Sequence, residues 1–301
     1  MRRQIIADFA LLIVTAIWGA TFVMVKDAVS AFPVFAFLFL RFSVATLSLI
    51  PVRPLLERRF AVLHGRGHVR ERDSWVMGGV LGIVLVLGYG FQTTGLQHTT
   101  PAKAGFITGL YVVIVPILTS ILTRRVPEPP LWVGVTLATV GLMILSLNRT
   151  LQPELGDVLV FFCAISFALH IVITGYLAPG HAPLALTLSQ LATTAVLSGI
   201  ISRVWEWPWP PMGQQMIVAA IFTGVLASTF AIAVQTIAQR FTSPTHTALI
   251  FSLEPVFAAV FSFFLAAEPI TGRVVLGGAL ILAGTLVAEI VPMMRLHPQR
   301  G

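Results

Sequence analysis

The sequence is apolar along almost its whole length: 56% of its 301 residues are hydrophobic and 10% are charged. Soluble domains carry roughly 25% charged residues, so water cannot be the solvent for most of this chain. A hydrocarbon core about 30 Å thick needs about 20 apolar residues for each helical crossing. The sequence therefore predicts an all-α integral membrane protein with ten transmembrane helices, near residues 6–27, 33–52, 75–97, 101–123, 131–148, 155–177, 183–204, 214–239, 244–266 and 271–292.

Lysine and arginine indicate the orientation of these helices, because cytoplasmic loops retain them. With the N-terminus inside, 13 of the 19 cations fall on the inner side and 5 on the outer side, while Arg41 lies within a helix. An even number of crossings returns the chain to the side where it started. We therefore predict that both termini are cytoplasmic.

Two parts of the chain are similar to each other. Shifted by 143 positions, residues 92–141 align with residues 235–284 without a gap, and a weaker alignment offset by about 149 places Asp8 on Asp157. Each copy holds five helices, and because five is odd the second copy must enter the membrane upside down. We predict two inverted repeats, 1–148 and 149–301, with a site near the bilayer midplane where they meet.

The sequence contains little that indicates an enzyme, a metalloprotein or a nucleic-acid-binding protein. Seven histidines are scattered without metal-ligand spacing, and the single cysteine, Cys163, lies inside an apolar run. No phosphate-binding loop or nucleophile motif stands out, so we expect no enzyme, no catalytic residue, no metal and no cofactor. The net charge of +7 is concentrated in short links instead of a basic stripe, which excludes a nucleic-acid partner.

Two helices have well-defined starts. Thr100-Pro101 opens the fourth helix and Ser243-Pro244 opens the ninth, each with a hydroxyl N-cap followed by proline at the first helical position. Lys103 follows in the first turn, where its cation and the helix dipole together would attract a carboxylate or phosphate. The alternative is that Lys103 snorkels to the outer interface.

Glu254 lies inside the ninth helix, where an ionised carboxylate needs a partner. As a functional group it would bind an amine or a proton. As a structural group it would be protonated and would bond to the backbone carbonyl that Pro255 leaves free. Its repeat partner, Tyr111, places a second polar group at the equivalent depth.

Further polar and aromatic residues inside the helices are site candidates. Gln92 and Gln235, at matching positions in the third and eighth helices, either bond to neighbouring helices or line a cavity. His170 either contacts substrate or is a hydrogen-bonded core residue. Trp18 and Tyr89 are candidates for aromatic walls, or else they only pack.

Glycines at four-residue spacing predict close helix packing, in Gly78-x-x-x-Gly82 and Gly105-x-x-x-Gly109. Such motifs are common in membrane helices. They indicate close approach without identifying the partner helix.

The chain resembles the drug/metabolite transporter superfamily in its ten-helix branch with paired EamA domains. The resemblance covers nearly the whole sequence and rests on Trp18-Gly19, TTPAKAGFITGLYVVIVP at 99–116, SLEPVFAAVFSFFLAAEPIT at 252–271 and GGALILAG at 277–284. It implies two inverted five-helix bundles around a central cavity, with helices one, three, four, six, eight and nine near the path, and no cofactor.

The resemblance also implies the function. We expect a membrane transporter that exports small metabolites, such as amino acids or related carboxylate-bearing compounds, by alternating access. Its partners would be a small-molecule substrate and the lipid bilayer of the plasma membrane, in a bacterium the inner membrane, and it would act as a monomer or homodimer. Alternatives are efflux of drugs or cationic compounds and, from a different class, a membrane sensor or scaffold that binds without transport.

Overall fold

A computed structural model describes residues 2–64, 71–99, 101–124, 128–146, 154–266 and 271–295 of the chain. These residues are almost entirely helical, which confirms the all-α membrane class. The helices are α1 (Arg2–Ser30), α2 (Val34–His64), α3 (Glu71–His98), α4 (Pro101–Gly109), α5 (Tyr111–Thr123), α6 (Pro129–Ser146), α7 (Leu155–Leu177), α8 (Pro183–Trp205), α9 (Gln214–Phe222), α10 (Ala231–Ala238), α11 (Pro244–Phe251), α12 (Glu254–Ala266) and α13 (Gly272–Arg295).

The described residues contain eight helical spans that are long and apolar enough to cross a membrane. The fifth and tenth predicted helices correspond to α6 and α13, whose apolar stretches Pro129–Ile144 and Val275–Val287 are shorter. Three predicted helices are interrupted. The fourth consists of α4 and α5, the ninth of α11 and α12, and the eighth of α9 and α10 joined by a π-helical segment, Thr223–Phe230.

The two halves meet through glycines at repeat-equivalent positions of α6 and α13. A Cβ atom added to Gly141 would lie 2.6 Å from the carbonyl oxygen of Gly277, and one added to Gly284 would lie 2.5 Å from that of Gly134. The alignment pairs Gly134 with Gly277 and Gly141 with Gly284. The same contact therefore occurs twice with the roles of the halves exchanged, as a two-fold relation between inverted repeats requires.

The glycine motifs differ in how closely their neighbours approach. Gly78 and Gly82 of α3 pack against α8, since an added Cβ would lie 2.7 Å and 2.6 Å from its atoms. The prediction of close packing is wrong at Gly105, where the nearest atom, on Pro255, would be 3.9 Å away. Among the residues that the structure describes, no backbone lies within 4 Å of that added Cβ, so a methyl group meets only an ordinary contact there.

Two helices break at repeat-equivalent positions. Leu110 separates α4 from α5, and Leu253, its partner in the alignment, lies between α11 and α12. The breaks make Tyr111 and Glu254 the first residues of α5 and α12. A carboxylate at the start of a helix faces the positive end of the helix dipole, so the break favours Glu254 at this position. The predicted cap of the ninth helix is confirmed, because the Ser243 hydroxyl accepts a hydrogen bond from the backbone N–H of His246 at 3.2 Å.

Candidate functional site

A cavity lies among helices from both halves of the chain. Its walls come from α1, α2, α3, α5, α7 and α10, and from the last residue of α11 and the first residue of α12. Seven of the eight site residues predicted from the sequence line this one cavity: Trp18, Tyr89, Gln92, Tyr111, His170, Gln235 and Glu254. The structure thus brings together residues that lie far apart in the sequence, while their contact with a substrate stays a prediction.

Lys103 is the eighth predicted residue. It lies in the first turn of α4, as expected. Its side chain falls outside the described part of the structure, so its attraction for anions also stays a prediction.

Arg41 lines the cavity and is absent from the site residues predicted above. Its side chain is buried, and its Nε donates a hydrogen bond to the hydroxyl of Ser228 at 2.8 Å. The guanidinium carbon lies 4.6 Å from the ring centroid of Tyr89 and 5.4 Å from that of Phe42, distances typical of cation–π contacts. A charge in the middle of an apolar segment is itself the signal that identifies such a residue.

The π-helical segment holds two cavity residues in place. Its wider turn exposes backbone and side-chain oxygens that a regular helix would cover. The indole N–H of Trp18 donates to the carbonyl oxygen of Ala227 at 2.8 Å, next to the Ser228 hydroxyl that accepts from Arg41. The Thr229 hydroxyl donates to the carbonyl oxygen of Ala45 on α2 at 2.9 Å. This segment therefore joins α1 and α2 of the first half to the second half.

Glu254 supplies the carboxyl group of the cavity. The Tyr111 hydroxyl donates to its Oε2 at 3.5 Å, the upper limit for a hydrogen bond, so this contact is weak. Both side chains are almost completely buried in the protein, with 7% of Glu254 and 3% of Tyr111 exposed. The carboxylate faces the cavity from the start of α12.

Arg41 and Glu254 do not form an ion pair with each other. Within the described ranges, the ion pairs between side chains join Arg53 to Glu57 at 2.6 Å and Arg53 to Glu71 at 2.7 Å. The cavity therefore contains a guanidinium and a carboxyl group that do not pair with each other. Ionisable groups inside a membrane protein are costly without a partner, which makes both side chains candidates for ligand contacts.

The two repeat-equivalent glutamines line the cavity and also bond to neighbours. Gln92 Nε2 lies 3.4 Å from the hydroxyl of Thr108, and Gln235 Nε2 donates to Oε1 of Gln239 at 3.2 Å. Gln239 in turn donates to a backbone carbonyl of α7 at 2.9 Å. Bonding to neighbouring helices and lining the cavity are therefore compatible roles, because each side-chain amide has more than one donor and acceptor site.

His170 is held on one side by a second polar chain. Its Nε2 lies 2.7 Å from Oε1 of Gln190, whose Nε2 lies 3.3 Å from the hydroxyl of Thr236. The ring is buried and still contributes to the cavity wall. This contact fixes the orientation of the imidazole and leaves its other nitrogen available.

Aromatic rings form much of the remaining wall. Tyr89 meets Phe42 and Phe167 edge to face, with ring centroids 5.1 Å apart in both pairs. Trp18 meets Phe251 in the same way at 4.8 Å. Edge-to-face pairs are energetically favourable, so these rings give the cavity well-packed apolar sides between its polar groups. Among the side chains that the structure describes, no group of three or more histidines, cysteines and carboxylates is placed to hold a metal ion.

Comparison with known proteins identifies the family. The model of the EamA-like transporter family matches the chain twice, at residues 5–147 and 154–289. An uncharacterized transporter of Archaeoglobus fulgidus is 32% identical over 288 residues, which cover 96% of this chain and 87% of the relative. The uncharacterized transporter YyaM of Bacillus subtilis is 26% identical over 227 residues, covering 70% of this chain and 72% of that protein.

A solved crystal structure shares the fold, with a TM-score of 0.75 over 98% of this chain and 99% of the other, at 19% sequence identity. This likeness concerns the fold alone. Together with the two family matches and the apolar helical spans, it identifies an integral membrane protein. The chain belongs to the EamA-like transporter family.

Proposed function

We propose that this membrane transporter exports small carboxylate-bearing metabolites, amino acids among them, by alternating access. The observation that carries the proposal is Arg41, a buried guanidinium in a cavity between the two halves of the chain. Arginine keeps its positive charge in proteins and offers five N–H donors in a planar arrangement. A carboxylate matches this arrangement with two parallel hydrogen bonds, as a phosphate also does.

The hydrogen bonds of Arg41 support this assignment. Its guanidinium donates to Ser228 through Nε and also interacts with the side chain of Tyr89. These contacts use fewer than the five N–H donors of an arginine, so N–H groups remain for a carboxylate. Stacking on Tyr89 fixes the plane of the guanidinium before a ligand arrives.

The position of the cavity supports alternating access. Along α1 its walls begin at Trp18 and continue to Val25, in the second half of the helix. The first half of α1 is instead sealed, because Ala7, Leu11 and Val14 are buried in a core that includes residues of α7, α10 and α11. Buried residues near the C-terminal end of α1 belong to a second core. Packed side chains therefore border the cavity toward both ends of α1, and a change in this packing must open it to either side of the membrane.

We place both termini in the cytoplasm and the chain in the plasma membrane, on the distribution of lysine and arginine. In that orientation the core around the first half of α1 lies on the cytoplasmic side of the cavity. Export then requires the repeats, 1–148 and 149–301, to rock against each other so that the cytoplasmic side opens to load cargo.

Efflux of cationic compounds is the second candidate. Glu254 and the aromatic rings around the cavity suit a cation, since aromatic faces attract positive charge. Arg41 counts against this function, because a singly charged cation would leave the guanidinium uncompensated and would be repelled by it.

Untargeted mass spectrometry of the medium tests the proposal. Cells that produce the protein should enrich the medium in carboxylate-bearing compounds, and cells that produce Arg41→Gln should not. Arg203→Gln is the matched control, because Arg203 is exposed and its guanidinium carbon lies over the ring of Trp207 at 4.9 Å, away from the cavity. Enrichment of amines alone, with equal export by Arg41→Gln, would instead support cationic efflux.

A further inference from the structure

We propose that Asp8, Thr242 and His246 form the cytoplasmic gate of this transporter, and that the repeat-equivalent contact between Asp157 and Thr99 forms its outer gate. The proposal rests on the proposed function, since a gate presupposes alternating access, and it names the residues that open and close the path. Both gates lie at the ends of the molecule, outside the residues that line the cavity.

The two contacts occupy equivalent positions in the two halves. The shift of 143 positions pairs Thr99 with Thr242, and the shift of about 149 pairs Asp8 with Asp157. Each threonine lies in the link between two helices, α3 and α4 or α10 and α11, and each aspartate lies near the start of a helix, α1 or α7. Because the repeats are inverted, equivalent contacts lie at opposite ends of the molecule. In the orientation proposed above, the Asp8 end is cytoplasmic and the Asp157 end is outside.

The outer contact is hydrogen-bonded. The Thr99 hydroxyl donates to Oδ1 of Asp157 at 2.6 Å, and Nζ of Lys26 donates to the backbone carbonyl oxygen of Thr99 at 2.9 Å. These two bonds join α1, the link after α3 and α7. The outer gate is therefore latched in this structure.

The cytoplasmic contact brings the same groups together without the latch. Thr242 and His246 interact with the Asp8 carboxyl, but outside the geometry of a regular hydrogen bond. Oδ1 of Asp8, Oγ1 of Thr242 and Nδ1 of His246 are sealed from open space, and none of them has a hydrogen-bond partner in the described part of the chain. Buried polar atoms without partners raise the energy of the packed state. Water that enters when this end opens would satisfy all three atoms.

Small residues beside the two contacts differ in the same sense. A Cβ added to Gly95 or to Gly156 would lie 3.0 Å or 2.7 Å from the backbone oxygen of the other, so α3 and α7 approach very closely. At the cytoplasmic end their counterparts are Ala238 and Ala7, both buried in the core that seals the first half of α1. Two methyl groups keep α10 and α1 further apart than the glycines keep α3 and α7. The cytoplasmic gate therefore opens at a lower cost than the outer gate.

Valine at each threonine gives the sharpest test, because it keeps the shape of the side chain and removes the hydroxyl. Thr242→Val deletes a buried hydroxyl that has no regular hydrogen bond, so it should favour the closed cytoplasmic gate. Thr99→Val deletes the bond to Asp157, so it should favour opening of the outer gate. The same substitution at equivalent positions should therefore close one end and open the other.

Accessibility of the cavity from each side measures the gates. The reporter is Thr21→Cys, at a buried position that lines the cavity, in a Cys163→Ala background. An impermeant maleimide is added to right-side-out and to inside-out membrane vesicles from producing cells. Relative to the parent with this reporter, Thr242→Val should slow labelling from the cytoplasmic side by about fivefold or more, and Thr99→Val should speed labelling from outside by a similar factor.

Further variants separate gating from folding. Thr242→Ser and Thr99→Ser keep the hydroxyl and should label like the parent. Asp157→Asn leaves one oxygen at that position and should shift labelling in the same direction as Thr99→Val. A single symmetric peak on size-exclusion chromatography checks folding of every variant.

The labelling needs no cargo, so the gates and the proposed function can fail separately. If the reporter labels from both sides but the valine variants leave both rates unchanged, or shift them in the same direction, the gate assignment is wrong and the proposed function stands. A reporter that labels from only one side, or from neither, overturns the gates together with alternating access. If the two opposite shifts appear and cells export no carboxylate, the gates stand and the proposed cargo is wrong.

Discussion

Tyr111 and Glu254 occupy the same position in the two halves of the chain, and their side chains meet at a distance of 3.5 Å between the phenol oxygen and Oε2. Each is the first residue after a helix break, at the start of α5 and of α12. Because one is a neutral phenol and the other a carboxylic acid, two similar backbones supply different chemistry at one place. The inverted repeat therefore builds a cavity whose walls are related in fold and unequal in charge.

The glycine contacts between α6 and α13 lead to a stability prediction. Gly284→Ala should lower the free energy of unfolding by about 1–3 kcal/mol, because the new methyl group would collide with the backbone of Gly134. Gly278→Ala is the control on the same helix, since its added Cβ would lie 3.4 Å from a side-chain atom of Val256, an ordinary contact.

Unfolding in detergent, followed by circular dichroism, measures both variants. Gly278→Ala should be neutral or slightly stabilising, because alanine favours a helix over glycine by about 0.5–1 kcal/mol. Equal unfolding free energies for Gly284→Ala and Gly278→Ala would show that the glycine contact between the halves does not contribute to stability.

Glu206, at the end of α8, caps a helix that is distant in sequence. Its Oε1 and Oε2 accept from the backbone N–H groups of Phe35 and Ala36, in the first turn of α2, at 3.0 Å and 2.8 Å. Glu206→Ala should lower the free energy of unfolding by about 1–3 kcal/mol, because it leaves two partly buried amides without an acceptor.

The matched control for Glu206 is Glu71→Ala. Glu71 pairs with Arg53 at 2.7 Å but its side chain is 64% exposed, so its loss should change stability by less than about 1 kcal/mol. Chemical denaturation in detergent compares the two variants. A larger effect at Glu71 than at Glu206 would contradict the capping role.

Much of the cavity could be predicted from the sequence because polar groups are rare inside apolar helices. Gln92, His170 and Glu254 stand out for this reason, and the structure places them around one cavity. Arg41 belongs to the same class of signal. Lysine and arginine are used above only to assign the sides of the membrane, so Arg41 is missing from the predicted site residues.

Other features could not be predicted because their cause is not local. The partners of Glu206 lie 170 and 171 positions away in the chain, so no capping motif in the sequence marks them. The π-helical segment Thr223–Phe230 is as apolar as its neighbours, and hydrophobic patterning does not distinguish a π-turn from an α-turn. The helix breaks at Leu110 and Leu253 could not be predicted either. A proline lies two residues after Leu253, but no proline lies at the matching position after Leu110.

Cysteine labelling tests the topology and the role of α6. Cysteines are introduced at Arg124, in the link after α5, and at Met212, in the link between α8 and α9; both positions are exposed. Three predicted crossings separate them, so they should react from opposite faces of the membrane. The native Cys163 is buried and should give little background.

In intact cells, an impermeant maleimide should label the cysteine at Met212, and it should reach the cysteine at Arg124 only after permeabilisation. Labelling of both from one face would show that α6, α7 and α8 do not all cross. That result would contradict the inverted repeat.

The central claim is that carboxylate-bearing cargo passes through the cavity at Arg41, and flux in proteoliposomes measures it most directly. The probe is the labelled carboxylate compound that producing cells enrich most in their medium, with parent, Arg41→Gln and Arg203→Gln reconstituted at equal density. Parent and Arg203→Gln should exchange the compound at similar rates, and Arg41→Gln should be slower by about tenfold or more. Flux through Arg41→Gln equal to that of the parent would contradict the account.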